Sequence, residues 1–163
     1  MIIKYSIKDF KKHKNKILKL IDVMPKIFMK AKGTNISKTD WLLTPEYNRD
    51  YWVYLRNLLI PFFVEMENKY GGIFSIQNFW FQQYHKLDYH GWHNHSHCHF
   101  SSVVYLECSN QTDLTQFKDM PIIDAKEGDV ITFPSYIFHR SPPINSSNRK
   151  TIVSFNSNII EHK

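Results

Sequence analysis

Four histidines stand in alternation in this chain, His93, His95, His97 and His99, within the stretch HNHSHCH. In an extended strand alternate residues share one face, so neighbouring members of the set can point at a single metal ion. Imidazole is the commonest protein ligand for iron, zinc, copper and nickel. The tract is internal, so it is not a terminal purification tag. The competing reading is a polar loop that happens to be rich in histidine. His139 follows a Phe133-Pro134 turn about forty residues downstream, and Arg149 lies ten residues beyond it, at the start of the last apolar run. A metal held by two tract histidines needs a third ligand from a facing strand. A carboxylate-bearing ligand needs a planar cation at its far end, and the arginine fork meets a carboxylate with two parallel hydrogen bonds. Singly, His139 reads equally well as a structural histidine and Arg149 as a surface residue near a turn. Together they suggest a site.

The elements that must position these residues are legible in outline. The first half is helical in texture. Ser6 and Asp9 have capping-box spacing, and Phe10, Ile17, Leu20 and Ile21 follow at helical intervals with lysines on the other face. The segment 30–38, with Gly33, Asn35 and Ser37, reads as a loop. A second helix is expected from about Asn48 towards Lys69, kinked or divided at Pro61 and ended by Gly71-Gly72. Beyond Gly72 come β-rich runs at 73–81, 100–107, 121–124, 129–133 and 151–159. Helices first and strands afterwards predict an α+β fold, with the helices packed on one face of an antiparallel sheet.

The bulk properties narrow the class. A length of 163 residues fits one domain, and 42% hydrophobic with 15% aromatic content is enough for a core, which excludes a disordered chain. No apolar run is long enough to span a membrane, and the N-terminus has no signal-peptide pattern. Two cysteines, Cys98 and Cys108, make no disulfide framework, so a cytoplasmic setting is the expectation. The formal charge of +6 owes much to Lys8, Lys11, Lys12, Lys14, Lys16 and Lys19. These read as the solvated face of a helix, with no basic stripe interleaved with aromatics near the histidines to suggest nucleic acid.

From the histidines onward the sequence resembles the 2-oxoglutarate- and Fe(II)-dependent oxygenases, in particular small bacterial and phage members of prolyl-hydroxylase type. The resemblance covers residues 74–159. It rests on His93-Asn94-His95, the strand Val103-Val104-Tyr105-Leu106, the GDVITFPS element from Gly128 to Ser135, then His139, Arg149 and Phe155-Asn156. The resemblance implies a double-stranded β-helix, a jelly roll of cupin-like architecture, with residues 1–72 as helical support on the major sheet and 73–163 as the β-helix core. It further implies Fe(II) held by His93, His95 and His139. Its co-substrate, 2-oxoglutarate, would be held by Arg149 with Thr151 and Tyr84, the last lying nine residues before His93. The implied activity is a dioxygenase hydroxylating a small-molecule or peptidyl substrate, with release of succinate and CO2. One departure stands out. The family's His-x-Asp or His-x-Glu is absent, and the second position is His95. The Val-Val-Tyr-Leu strand favours the His93/His95 pair, while spacing alone also permits His95/His97 or His97/His99.

Rival readings share some of these residues. Cupins carry His-x-His and a Gly, five residues, Pro, then His pattern that Gly128, Pro134 and His139 approach, but Tyr136 stands where a cupin has glycine and Arg149 has no cupin role. Three histidines also suit zinc, in a non-catalytic module or a hydrolase, although no neighbouring glutamate supplies a general base. Cys98, flanked by histidines, reads as a small filler rather than a nucleophile. Trp80, Phe81 and Trp92 could line a pocket or fill a core. The sequence names neither substrate nor oligomeric state.

Overall fold

Phe10, Ile17, Leu18 and Ile21 form a stripe at helical spacing, and all four are buried where helix α1 (Phe10–Asp22) lies across a sheet. The structure, a computed structural model, describes residues 1–161; residues 162–163, the end of the expected β-helix span, lie outside the described residues. Strand β1 (Ile3–Ser6) precedes the helix. The expected capping box does not form. Asp9 sits in the left-handed region without a capping bond, and the Ser6 hydroxyl donates instead to Asp129 on a neighbouring strand.

The segment 30–38, expected as a loop, is a hairpin. Strands β2 (Met29–Ala31) and β3 (Thr34–Ile36) pair across a turn in which Gly33 takes φ +79°, and β4 (Lys38–Thr39) follows. Short polar strands carry too little apolar alternation to stand out in a sequence. The second helix is divided, as Pro61 requires: α2 (Asp50–Leu58) and α3 (Ile60–Tyr70) meet at Leu59, and Pro61 falls in the first turn of α3, where no N–H is needed. Gly71, left-handed at φ +72°, ends it.

The remaining strands are β5 (Ile73–Tyr84), β6 (Tyr89–His93), β7 (Phe100–Glu107), β8 (Gln116–Phe117), β9 (Asp129–Pro134), β10 (His139–Ser141) and β11 (Lys150–Ile160). The run 121–124 is not a strand. Two antiparallel sheets result, a six-stranded one in the order β1-β9-β7-β11-β5-β4 and a five-stranded one in the order β2-β3-β6-β10-β8. The fold is α+β, with three helices on one face of the larger sheet. That face holds Phe81, Val104, Leu106, Val130, Val153 and Phe155 against Phe10, Tyr51, Trp52, Leu55 and Phe62. Each such side chain contributes about 1.5–3 kcal/mol on burial. The opposite face, with Tyr84, Val103, Tyr105, Ile131, Phe133 and Ile152, looks across to the smaller sheet.

Alternation along β11 therefore sorts its residues. Thr151, Val153 and Phe155 belong to the helix side, and Lys150, Ile152, Ser154 and Asn156 face the space between the sheets. Among the described residues no helix is long and apolar enough to cross a membrane.

Candidate metal centre

His93 ends β6 and His139 begins β10, and the two are directly paired across the smaller sheet. His95 lies just past β6. Its N–H donates to the Ser135 carbonyl at 2.9 Å, and Ser135 donates in turn to the carbonyls of His99 and Cys98, so the turn after β9 holds the histidine loop in place. The ligand-capable nitrogens of His93, His95 and His139 all lie within 4.8 Å of one another. Ring centroids are 4.2 Å apart for His93 and His139, 5.2 Å for His93 and His95, and 5.1 Å for His95 and His139. An ion with bonds of about 2.1 Å would draw the nitrogens closer still, since ligands at right angles then stand about 3 Å apart. Of the three pairings that spacing permits, His93/His95 is the one assembled with His139. His97, exposed and left-handed at φ +63°, and His99, whose Nδ1 accepts from the Ile159 N–H, lie outside the cluster.

Backbone contacts set the rings. His93 Nδ1 meets the Gly91 carbonyl at 2.8 Å and His139 Nδ1 meets the Ile137 carbonyl at 3.0 Å. A carbonyl only accepts, so each Nδ1 carries the proton and each Nε2 keeps a lone pair for a metal. Gly91 itself is dictated by crowding: a Cβ there would come within 2.8 Å of the Gly33 carbonyl on the hairpin. His95 Nδ1 lies 3.4 Å from the Asn156 amide, whose oxygen accepts from Ser101. Burial, reinforced by the neighbouring imidazoles, pushes His139 down to about 3 and His95 down to about 4, and burial also lowers His93. All three are neutral at pH 7, the state in which imidazole binds metal. His90 stacks on His93 at 3.9 Å and is likewise pushed down to about 3 by burial, but stands outside the cluster.

The histidines open into a cavity between the sheets, lined also by Trp80, Tyr84, Phe133, Arg140, Ser141 and Asn156. Behind the Ser141 and Tyr84 side of its wall lies Lys150, only 1% exposed. Its ammonium donates to the Ser141 hydroxyl at 2.8 Å and the Asp113 carbonyl at 2.6 Å, and lies 4.9 Å from the centre of the Tyr84 ring. Burial pushes it down to about 7, with the Asp113 carboxylate acting in the opposite sense. Tyr84 is fully buried beside it, and desolvation raises its phenol.

Arg149 and Thr151 are not brought to this cavity. Arg149 lies on the helix side, forked onto Glu107 at 2.8 and 3.3 Å and bonded to Asp22 at the end of α1 at 3.1 Å. The Thr151 hydroxyl donates to Glu107 and accepts from Gln83. One step along a strand turns a side chain to the other face. So Lys150, not Arg149, stands behind the cavity wall against Ser141 and Tyr84, Arg140 is the cation that lines the cavity, and the polar cluster around Arg149 ties α1 to the sheet. Of the aromatics, Trp80 lines the cavity, Phe81 belongs to the helix-side core, and Trp92 is exposed with the Arg140 guanidinium 4.6 Å from its ring centre. Cys98 is a half-buried free thiol.

Comparison of the whole fold with solved structures is decisive about architecture. An oxidoreductase of the 2OG-Fe(II) oxygenase family from Burkholderia pseudomallei superposes with a TM-score of 0.76 at 14% identity, covering 99% of this chain and 88% of that one. This chain has the oxygenase fold. A viral collagen prolyl hydroxylase from Paramecium bursaria Chlorella virus-1 gives 0.69 at 14% identity, covering 98% and 96% of the two chains. An α-ketoglutarate-dependent epimerase of nogalamycin biosynthesis gives 0.72 at 9% identity, covering 98% and 77%. The fold is thus the double-stranded β-helix of these oxygenases. No family sequence model matches the chain, and no curated protein matches it in sequence.

Proposed function

We propose that the protein is an Fe(II)- and 2-oxoglutarate-dependent oxygenase in which His93, His95 and His139 hold the metal and Lys150 holds the distal carboxylate of the co-substrate. The observation that carries this reading is a cavity lined by three neutral imidazoles and by Ser141 and Tyr84, the two side chains against which the buried Lys150 ammonium lies. His139 and Ser141, two residues apart on β10, mark the two ends. Two strand rises amount to about 6–7 Å, a span that an extended five-carbon dicarboxylate fills. Both oxygens bonded to Lys150 belong to neutral groups, and the nearby Asp113 carboxylate is engaged by the Asn145 and Ser146 N–H groups, which leaves the ammonium able to meet a carboxylate.

Fe(II) with 2-oxoglutarate supplies the oxidising chemistry that couples loss of CO2 and formation of succinate to oxidation of a substrate. The chain's part is placement. The β6–β10 pairing fixes His93 against His139, and the Gly91 and Ile137 carbonyls fix their tautomers. Tyr84 and Ser141 flank the lysine, and Trp80, Val103, Phe133 and Ile152 keep the cavity wall apolar. We place the chemistry within one domain and assign Arg149 and Thr151 a structural role. The distinction from a cupin rests on Lys150, which gives the cavity a use for a second carboxylate.

The test is an anaerobic titration of the metal-free protein with Fe(II) and then 2-oxoglutarate, following the visible charge-transfer band of the chelate. A saturable band, weakened in Lys150→Met and unchanged in Arg149→Met, is the expected result. Metal uptake with no band at any co-substrate concentration would refute the co-substrate assignment and leave a metal-binding β-helix.

A further inference from the structure

The metal cluster contains three imidazoles and no carboxylate, and among the described residues no aspartate or glutamate lines the cavity. The acids in the surrounding elements have other partners. Asp88 accepts from Asn35, Ser37 and the His85 N–H, and Asp113 accepts from the N–H groups of Asn145 and Ser146. Asp40 is bound by Arg49, Tyr51 and the Phe81 N–H, and Glu107 by Arg149 and Thr151. None is free to swing onto a metal. The cavity wall offers neutral polar groups, Ser101, Ser154 and Asn156, and one cation, Arg140, beside apolar side chains.

The charge balance at the metal end follows, resting on the functional reading above. Histidine ligands add no charge, so a ferrous ion keeps both of its positive charges. One co-substrate carboxylate belongs at that end, and the other is matched by Lys150. One positive charge is left over beside His95, where His-x-Asp oxygenases have a carboxylate, and Arg140, whose Nε donates to the neutral Gln116 amide oxygen, adds a further positive charge to the wall. Opposite charges in a protein site interact about fourfold more strongly than in water, at an effective dielectric constant of about 20 rather than 80.

We propose that the cavity takes a small monoanion beside the metal, either the carboxylate of an organic substrate or a free inorganic anion. The surplus charge favours a singly charged group over a neutral one, and the apolar walls of Trp80, Phe133 and Val103 suit a substrate whose remaining surface is uncharged. His95 thereby sets the preference at the metal, with Arg140 acting in the same sense from the wall. Its replacement by a carboxylate would fill the charge deficit from within the chain.

The experiment uses the full chain loaded with Co(II), whose visible spectrum reports its ligands, with 2-oxoglutarate present. Azide and formate probe the free anion, and phenylacetate against phenylacetamide probes an organic carboxylate. The expected result is saturable spectral change with azide and formate, weakened about tenfold or more in His95→Asp and kept within about threefold in His95→Gln. Phenylacetate binding more than about tenfold tighter than formate, with phenylacetamide silent, assigns the site to a substrate carboxylate; equal binding of the two carboxylates assigns it to a free anion. Absence of anion uptake by the wild-type protein, or undiminished uptake by His95→Asp, overturns the proposal. If 2-oxoglutarate leaves the Co(II) spectrum unchanged while azide alters it, the co-substrate reading fails and the anion site stands. Failure to take up Co(II) overturns both.

Discussion

Replacing Lys150 by methionine should do two opposite things, and their pH dependence ties both to one ammonium group. Burial holds Lys150 at about 7 rather than its ordinary 10.5. At pH 8, therefore, about one molecule in ten carries the charge that a dicarboxylate needs. Each pH unit above 7 should cost about 1.4 kcal/mol of binding, or tenfold in affinity, until the raised pKa of the complex is reached. The ligand histidines do not blur this window, because His95 at about 4 and His139 at about 3 are neutral throughout it. Loss of the charged hydrogen bond in Lys150→Met should weaken 2-oxoglutarate by roughly 10- to 150-fold at pH 6.5, on about 1.5–3 kcal/mol for such a bond, and flatten the pH profile. Stability should move the other way. Between about 7 and 10.5 the unfolded chain holds a proton on Lys150 that the folded chain has released. Wild-type stability accordingly rises with pH through that window, and the penalty is fully present below it. Methionine, of similar shape and uncharged, should stabilise the ligand-free protein at pH 6.5 by about 1–4 kcal/mol, the difference shrinking towards pH 10. The assays are anaerobic titrations at pH 6.5, 7.5 and 8.5, with urea unfolding at the same values. A wild-type affinity flat across that range, or a Lys150→Met affinity within twofold of wild type, would show that the lysine does not meet the co-substrate.

Three further substitutions probe the surroundings. His139→Ala should reduce Fe(II) or Zn(II) affinity by at least about 100-fold, since two imidazoles hold these ions poorly; equilibrium dialysis with metal analysis checks this, and stoichiometric uptake would remove His139 from the cluster. Arg149→Met should leave 2-oxoglutarate binding unchanged within twofold and lower stability by about 1 kcal/mol through its half-exposed pairs with Glu107 and Asp22, as urea unfolding would read. Gly91→Ala should force β6 away from the Gly33 carbonyl, 2.8 Å from the new methyl, and lower stability by about 1–3 kcal/mol together with a fall in metal affinity. Unchanged metal binding in that variant would show that the hairpin does not position His93.

Most of the β-helix half could be read from the residues because its signals were local. The alternating histidines, the Gly128–Pro134 strand and turn, and the glycine and proline that end and divide the helices each act through near neighbours in the chain. The short strands β2, β3, β8 and β10 could not be read, because two or three residues are too few to show a periodicity and most of their pairing partners lie far along the chain. The most instructive difference is a single position. Family spacing points to Arg149, and the arginine fork is the better carboxylate receptor in the abstract, yet the strand turns Lys150 inward and Arg149 outward. Both faces of β11 are buried, with Val153 and Phe155 on one side and Ile152, Ser154 and Asn156 on the other, so hydrophobicity alone does not set the parity. What does set it is the smaller, more polar side of the strand. Ser154 and Asn156 mark the face that lines the cavity, and counting back by twos from Asn156 arrives at Lys150. A full burial of one lysine against neutral oxygens, one residue from an arginine whose charge is already matched by Glu107 and Asp22, is a cost that folding stability alone gives no reason to retain. On the function proposed above, a carboxylate that arrives from outside gives that reason.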